Sequence, residues 1–289
     1  MNFNHCLLVI KQTALAQGGR AAEMARKGDA TARRLIRADA EHQRTGDAVR
    51  AALAKRGLAF TEASLQPPSD EVKEQLARAD FVVTVGGDGT VLGASHYVRQ
   101  GALIGVNSAP GDSVGHFCAV QRRDFAAKLG AILAAEWKPV ALARLAVTLD
   151  DQPLPELALN DVLIAHECPA ATTRYLLKVG ARAEEQRSSG LWIATAAGAT
   201  AGIHSAGGRA MALRSRRIQY LVRELYREPQ RTYELLRGFI EPGAELTIAS
   251  KMGQGELYVD GARTLYAFPF GTRARITLAA APLRIFRHT

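Results

Sequence analysis

One carboxylate stands among three glycines in Gly86-Gly87-Asp88-Gly89-Thr90. Phe81-Val82-Val83-Thr84-Val85 precedes it and reads as a buried strand. Val91-Leu92-Gly93-Ala94-Ser95-His96-Tyr97-Val98 follows with apolar residues at helical spacing. A strand, a glycine turn and a helix start form a phosphate-binding arrangement. The first N–H groups of a helix are unpaired and the dipole there favours negative charge. Glycines let the backbone approach the anion closely. A carboxylate beside phosphate repels it, so Asp88 must have some other use there. It could hold a metal, or take a proton from an attacking hydroxyl. The turn also reads as an ordinary connection with Asp88 as helix cap. Three glycines around one acid favour phosphoryl transfer. No Gly-x-x-x-x-Gly-Lys is present, and Gly93 misses the dinucleotide fingerprint by one position, which weakens a dehydrogenase reading.

Two later stretches carry further chemistry. Leu157-Ala158-Leu159-Asn160-Asp161-Val162-Leu163-Ile164 sets adjacent polar residues in an apolar strand. Strand neighbours face opposite sides, so at least one of Asn160 and Asp161 points to a buried face and needs a partner. A polar pair joining two sheets meets that need; so does a ribose hydroxyl or an adenine amine. The stretch 188–208 ends a strand and then becomes small and hydroxylated, through Thr195, Gly198, Thr200, Ala201 and Ser205. Such residues admit a ligand closely, and a tightly packed helix uses the same composition. His116 and His204 read as structural histidines, Trp192 as core, and Asp260-Gly261 as a hairpin turn or a turn beside the site.

The elements that must position these residues fall into two kinds. Residues 7–10 read as a first strand, 18–56 as helix in two pieces broken near Gly28 or Gly46, and 58–65 as a second strand. Pro67-Pro68 then stops the chain, and Ser69 or Asp70 caps a helix over 71–79. Residues 102–106 form another buried strand, ending at Asn107 and a glycine-bearing loop to His116, and 123–135 is helical. Strands alternating with helices predict a doubly wound sheet with ligands at its strand C-termini. After Trp137-Lys138-Pro139, short strands over 141–149, 157–164, 174–179, 191–195, 246–249, 257–259 and 274–278 predict a β-rich domain. One helical interruption is expected over 216–237, split at Pro229.

The 289 residues suit two modest domains, and no apolar run reaches the length of a membrane span. The N-terminus reads as a strand, not a signal peptide. Three scattered cysteines suggest neither a disulfide framework nor a metal knuckle, and fit a cytoplasmic chain. With 37 Lys and Arg against 28 acids, the formal charge of +9 favours anionic partners. The arginines gather over 209–237 without a nucleic-acid-binding signature, so a solvated basic face is the expectation and no nucleic-acid partner is assigned.

In order and spacing, Gly86-Gly87-Asp88-Gly89-Thr90, Gly105-Val106-Asn107, Leu159-Asn160-Asp161 and Gly198-Ala199-Thr200-Ala201 through Ser205-Ala206-Gly207-Gly208 resemble the NAD kinase family. The segments Asn107-Ser108-Ala109-Pro110, Gly115-His116-Phe117-Cys118 and Gln186-Arg187-Ser188-Ser189-Gly190-Leu191 are more similar to its mitochondrial-type branch. The resemblance implies an α/β Rossmann-like N-terminal domain over 1–122, a β-sandwich over 123–271, and a segment near 272–289 returning to the first domain. It implies transfer of a phosphoryl group from ATP or polyphosphate, with Mg²⁺ or another divalent cation, to the adenosine 2′-hydroxyl of NAD or NADH. Asp88 would be the base. Gly86, Gly87, Gly89 and Thr90 would line the phosphates, and Asn107 would sit at the donor or shape the pocket. Asn160 and Asp161 would hold adenosine, and Thr195, Thr200, Ala201 and Ser205 would line the dinucleotide site. A homodimer or homotetramer is implied as well.

The chain departs from the family pattern at two places. Ser189 stands where an Asp is usual, and Gly202 where an aromatic is usual. Two other readings follow: a diacylglycerol- or sphingoid-base-like lipid kinase sharing the glycine-Asp turn, and a non-catalytic dinucleotide-binding regulator.

Overall fold

The computed structural model describes residues 3–29, 32–66, 68–111 and 114–287. The chain divides into two compact units, Met1–Val140 with Leu283–Thr289, and Ala141–Pro282.

The first unit is α/β. Its elements are β1 (Cys6–Ile10), α1 (Gly19–Arg26), α2 (Ala32–Lys55), β2 (Phe60–Ala63), α3 (Asp70–Arg78), β3 (Phe81–Gly86), α4 (Asp88–Ser95), β4 (Ala102–Asn107), β5 (Val120–Gln121), α5 (Arg122–Leu133) and the start of β6 (Val140–Leu142). The expected break in the first helical stretch falls near Gly28, while Gly46 lies inside α2. Ser69 caps α3 by accepting the Val72 N–H at 3.3 Å. The sheet runs β2-β1-β3-β4, then the C-terminal strand Leu283–Phe286, then β6, with β5 beside β4. Pairings of β1 with β2 and β3, and of β4 with β3, β5 and Leu283–Phe286, are parallel. All six residues of both β3 and β4 are buried, as parallel strands covered on both faces require. The second unit begins after Val140, not at 123. The reason is α5, whose Phe125, Leu129 and Ile132 join Val83, Val85, Ile104 and Val106 in one apolar cluster.

The second unit is all β apart from a 3₁₀ turn, Gly198–Thr200, and the short α6, Gly202–Ser205. The sequence continues β7 (Leu145–Leu149), β8 (Gln152–Ala158), β9 (Asp161–His166), β10 (Thr173–Val179), β11 (Arg182–Ser188), β12 (Gly190–Ala194), β13 (Ile218–Arg223), β14 (Arg237–Ile240), β15 (Leu246–Ser250), β16 (Gly255–Val259), β17 (Thr264–Ala267) and β18 (Arg273–Leu278). The strand β19, Leu283–Phe286, belongs to the first unit. The sheets run β11-β10-β15-β18-β7-β8 and β14-β13-β12-β9-β16-β17. Their inner residues, among them Val147, Tyr175, Ile248 and Ala274 from one and Ile164, Leu191, Ile218 and Leu257 from the other, form a single core. This is a β-sandwich.

The helix expected over 216–237 is absent: Ile218–Arg223 is β13, paired with β12 and β14. Its Ile218-Gln219-Tyr220-Leu221-Val222 run is rich in β-branched and aromatic residues, and pairing on both edges overrides the Arg and Glu content around it. The basic run folds back on this unit. Arg217 lies over Phe239, Arg223 over Trp192 and Arg231 over Tyr233. Between β6 and β7 the chain breaks at Arg144, which is fully buried and donates to the Ala281 carbonyl at 2.9 Å. Among the described residues no helix is long and apolar enough to cross a membrane.

Candidate active site

The order β2-β1-β3-β4 places the topological switch between β1 and β3, and open α/β sheets bind ligands at the strand C-termini there. Gly86 ends β3 and Asp88 opens α4, so the glycine turn sits at that point. The helix N-cap is Gly87, with no side chain to satisfy the first N–H groups. Thr90 is buried, and its hydroxyl lies over Gly86, 2.2 Å from where a Cβ there would stand. Asn107 ends β4 directly opposite Gly86 in the sheet register, and its Oδ1 accepts the Ala109 N–H at 3.2 Å.

Asp88 does not cap its own helix. Its Oδ2 accepts the His116 N–H at 2.8 Å and its Oδ1 the Phe117 N–H at 2.7 Å. Both amides belong to the loop after β4, so the carboxylate ties two strand ends together. An ionised carboxylate has about four acceptor positions, which leaves room for a hydroxyl or a cation. The half-buried Arg287, just beyond β19, lies close enough for its charge to interact with that of Asp88. Neither the loop amides nor Arg287 was legible in the motif, since both come from distant chain.

In the second unit the Asn160-Asp161 pair is not mid-strand. β8 ends at Ala158 and β9 begins at Asp161, so Leu159-Asn160 forms a corner. Asp260 builds that corner. Its carboxylate accepts the N–H groups of Leu159 and Asn160 at 2.8 Å each and of Asp161 at 3.0 Å. The Asp260 N–H donates back to the Asp161 carbonyl at 2.9 Å. The backbone of Asp260 is left-handed, φ 51°, which Asp tolerates better than most residues. The sequence marks Asp260-Gly261 as a hairpin turn or a turn beside the site, but not the amides that Asp260 holds, because they lie about a hundred residues away.

Thr195 and Gly198 pack under the same corner. The Thr195 hydroxyl donates to the Leu159 carbonyl at 2.5 Å and accepts the Gly198 N–H at 3.1 Å. A Cβ on Gly198 would stand 2.1 Å from the Asn160 carbonyl oxygen, so only glycine fits. The Thr195 side chain is therefore committed within the unit. Thr200 and Ser205 are exposed and Ala201 is half-buried, around the 3₁₀ turn and α6. The Asn160 Oδ1 is buried with no hydrogen-bond partner. An orphaned acceptor beside hydroxyl-bearing residues suits a ligand amine or hydroxyl.

Asp161 is also buried, and its carboxyl group sits near that of Asp260. Burial, helped by the neighbouring charge of Asp260, pushes its pKa up to about 7. The native state therefore holds this proton more tightly than the unfolded chain. Stability is highest below the ordinary value of 3.8 and falls as pH rises towards about 7. The shift is worth on the order of 4 kcal/mol at most. Asp161→Asn should raise the melting temperature by several degrees at pH 8 and change it little at pH 4, by thermal unfolding across that range.

Trp192 is half-buried and packs against a small apolar cluster of Ala194, Ile203 and Leu221, apart from the main sandwich core, and its ring stands 2.9–3.0 Å from where a Cβ on Gly202 would be. The aromatic surface lacking at Gly202 is thus supplied at this spot by a neighbouring strand.

A doubly wound sheet with a glycine-flanked carboxylate at its switch point, in one chain with a β-sandwich whose corner holds the unpartnered Asn160 Oδ1, suits a nucleotide-using kinase. Residues 62–137 match the family model described as ATP-NAD kinase N-terminal domain. The "Probable NADH kinase" of Oryza sativa subsp. japonica is 30% identical over 266 residues, 84% of this chain and 81% of that protein. An NAD kinase from Archaeoglobus fulgidus, solved in complex with ATP, superposes with a TM-score of 0.67 at 18% identity, covering 98% of this chain and 93% of that one. Yeast NADH kinase, solved with NADH, superposes with a TM-score of 0.74 at 13% identity, covering 100% and 84%. The chain belongs to the NAD kinase family.

Proposed function

We propose that this chain phosphorylates NAD or NADH at the adenosine 2′-hydroxyl, giving NADP or NADPH, with ATP or polyphosphate as donor. The observation that carries the reading is Asp88, a carboxylate at the first position of a helix whose turn is open to phosphate, in a member of this family. The 2′-oxygen attacks the terminal phosphorus, the bond from that phosphorus to its bridging oxygen breaks, and the hydroxyl proton passes to Asp88. The amide start of α4 and Arg287 stabilise the negative charge. Gly86, Gly87, Gly89 and Thr90 line the donor phosphates, with Asn107 shaping the wall. Asn160 and Asp161 take adenosine, with Thr200, Ala201 and Ser205 beside them and Thr195 supporting the corner.

No group of three or more His, Cys, Asp or Glu that could hold a metal occurs among the described residues. Mg²⁺ carried on donor phosphates needs only one or two protein carboxylates, which this chain supplies. Such an ion would neutralise charge on the transferred group. The chain is read as a cytoplasmic homodimer or homotetramer, on the family resemblance and on its three free cysteines.

NAD and NADH crossed against ATP and polyphosphate, with NADP(H) detected enzymatically, tests this. Product in at least one combination is expected, and the NADH arm comes first because the rice relative and the yeast structure both carry NADH kinase in their names. Dinucleotide binding without product in any combination would select the regulator reading instead.

A further inference from the structure

The outer face of the sheet β11-β10-β15-β18-β7-β8 is set by strand alternation. In β10, Thr173, Tyr175 and Leu177 are buried, and Arg174, Leu176 and Lys178 face out. In β18, Ala274 and Ile276 are buried, and Arg273 and Arg275 face out. The strand register lays these residues in rows. Arg275, Thr247 and Lys178 lie side by side across β18, β15 and β10, and Arg273, Ala249 and Leu176 form the next row. Lys251, just past β15, sits beside Arg174 and donates its N–H to the Arg174 carbonyl at 2.9 Å. Neighbouring strands stand about 4.8 Å apart and same-face residues roughly 7 Å apart along a strand, so these cations share a patch about 10 Å by 14 Å.

Most of that charge is unanswered. Lys251 pairs with Glu185 at 2.6 Å. Arg174, Lys178, Arg273 and Arg275 make no ion pair among the described residues. The carboxylates of Asp150, Asp151 and Glu245 stay at the margin, around a hollow over β7 and β18, and Asp150 accepts the Arg273 N–H at 2.8 Å. Thr247 and Ala249, between the cations, are small. Two apolar side chains break the basic pattern. Leu176, in the middle of the patch, is 38% exposed, and Phe270, in the turn that enters β18, is 74% exposed. That turn is tied to the Lys251 end of the sheet, the Gly271 N–H donating to the Ser250 carbonyl at 3.0 Å. A flat basic face with an aliphatic centre and an aromatic at its edge complements a bilayer, which presents anionic headgroups over hydrocarbon. Single-stranded nucleic acid is bound through aromatic platforms among the cations, and the outward positions of β10, β15 and β18 carry no aromatic residue.

We propose that this face docks the protein reversibly on an anionic phospholipid surface, its cations meeting the headgroup phosphates while Phe270 and Leu176 enter the interface. None of these residues belongs to the site around Asp88 or to the Asn160 corner, so the inference stands apart from the reaction the chain catalyses.

Co-sedimentation of the full chain with vesicles of phosphatidylcholine, alone or mixed with phosphatidylglycerol, tests it. Binding is expected on the mixed vesicles only, and should weaken as salt rises. Each cation at such a surface contributes about fivefold, so Arg273→Gln combined with Arg275→Gln should weaken binding roughly 25-fold. Phe270→Ala should weaken it several-fold at every salt concentration. Arg78→Gln combined with Arg123→Gln removes the same charge from exposed positions of the α/β unit, and should leave binding within twofold. All these side chains are exposed, so the variants should unfold at the wild-type temperature. Equal losses in the two double variants would overturn the proposal. So would an absence of binding to mixed vesicles, including the case in which the wild-type protein captures a single-stranded oligonucleotide instead.

Discussion

Asp88→Asn is expected to lower kcat for NADP(H) formation by about 10²- to 10⁴-fold while NAD affinity changes less than threefold. The amide cannot accept the 2′-hydroxyl proton, and that loss falls on the chemical step rather than on binding. The variant has a structural effect as well. Asp88 accepts two loop amides, one on each oxygen. Asparagine keeps one acceptor and turns an NH₂ group towards the other N–H, so the loop after β4 loses one of its two ties. Such an unmade bond costs roughly 1–3 kcal/mol where water is excluded, and less on this partly open loop. Thermal unfolding measured beside the kinetics separates the two effects. A normal kcat in a folded, NAD-binding Asp88→Asn protein would remove Asp88 from the chemistry.

Asp260→Ala should be the most damaging change in the second unit. Three amide groups, of Leu159, Asn160 and Asp161, would lose their shared acceptor at once. Alanine also fits the left-handed backbone poorly, where Asp260 has φ 51°. Together these cost about 3–6 kcal/mol, a large fraction of the stability of a domain. Dinucleotide affinity should fall by tenfold or more, because the corner that aims Asn160 loosens. Asp260→Asn should be intermediate. Its single oxygen can still serve Asn160 and Asp161, while its NH₂ opposes the N–H of Leu159. Denaturant unfolding and equilibrium NAD binding read both quantities. An alanine variant as stable as wild type would show that water replaces the carboxylate.

The elements that were legible in the sequence were those with local signals. The buried runs of β3 and β4, the Ser69 cap and the glycine turn each declare themselves within ten residues. The β-sandwich class was legible from short strands separated by turn residues. What stayed hidden depends on distant partners. The β8–β9 corner reads as one strand because Leu159 and Asn160 bend only under the grip of Asp260. β13 sits among Arg and Glu that suit a helix, and is a strand because β12 and β14 flank it. Arg174, Lys178 and Arg275 are unremarkable singly, and converge only where β10, β15 and β18 pair.

The strand Leu283–Phe286 pairs Arg284 with Ala102, Ile285 with Leu103 and Phe286 with Ile104. The α/β half therefore cannot finish its sheet until the strand that follows the whole second unit in the chain has been made. While the intervening β-rich half is being made, at about 5–20 residues per second, the edge of β4 at Ala102, Leu103 and Ile104 waits without its neighbour, only Val106 and Asn107 being paired with β5. An open edge of apolar backbone is a template for the wrong partner. The split connectivity thus exposes the nascent half to misassociation for the whole time that its last strand is missing.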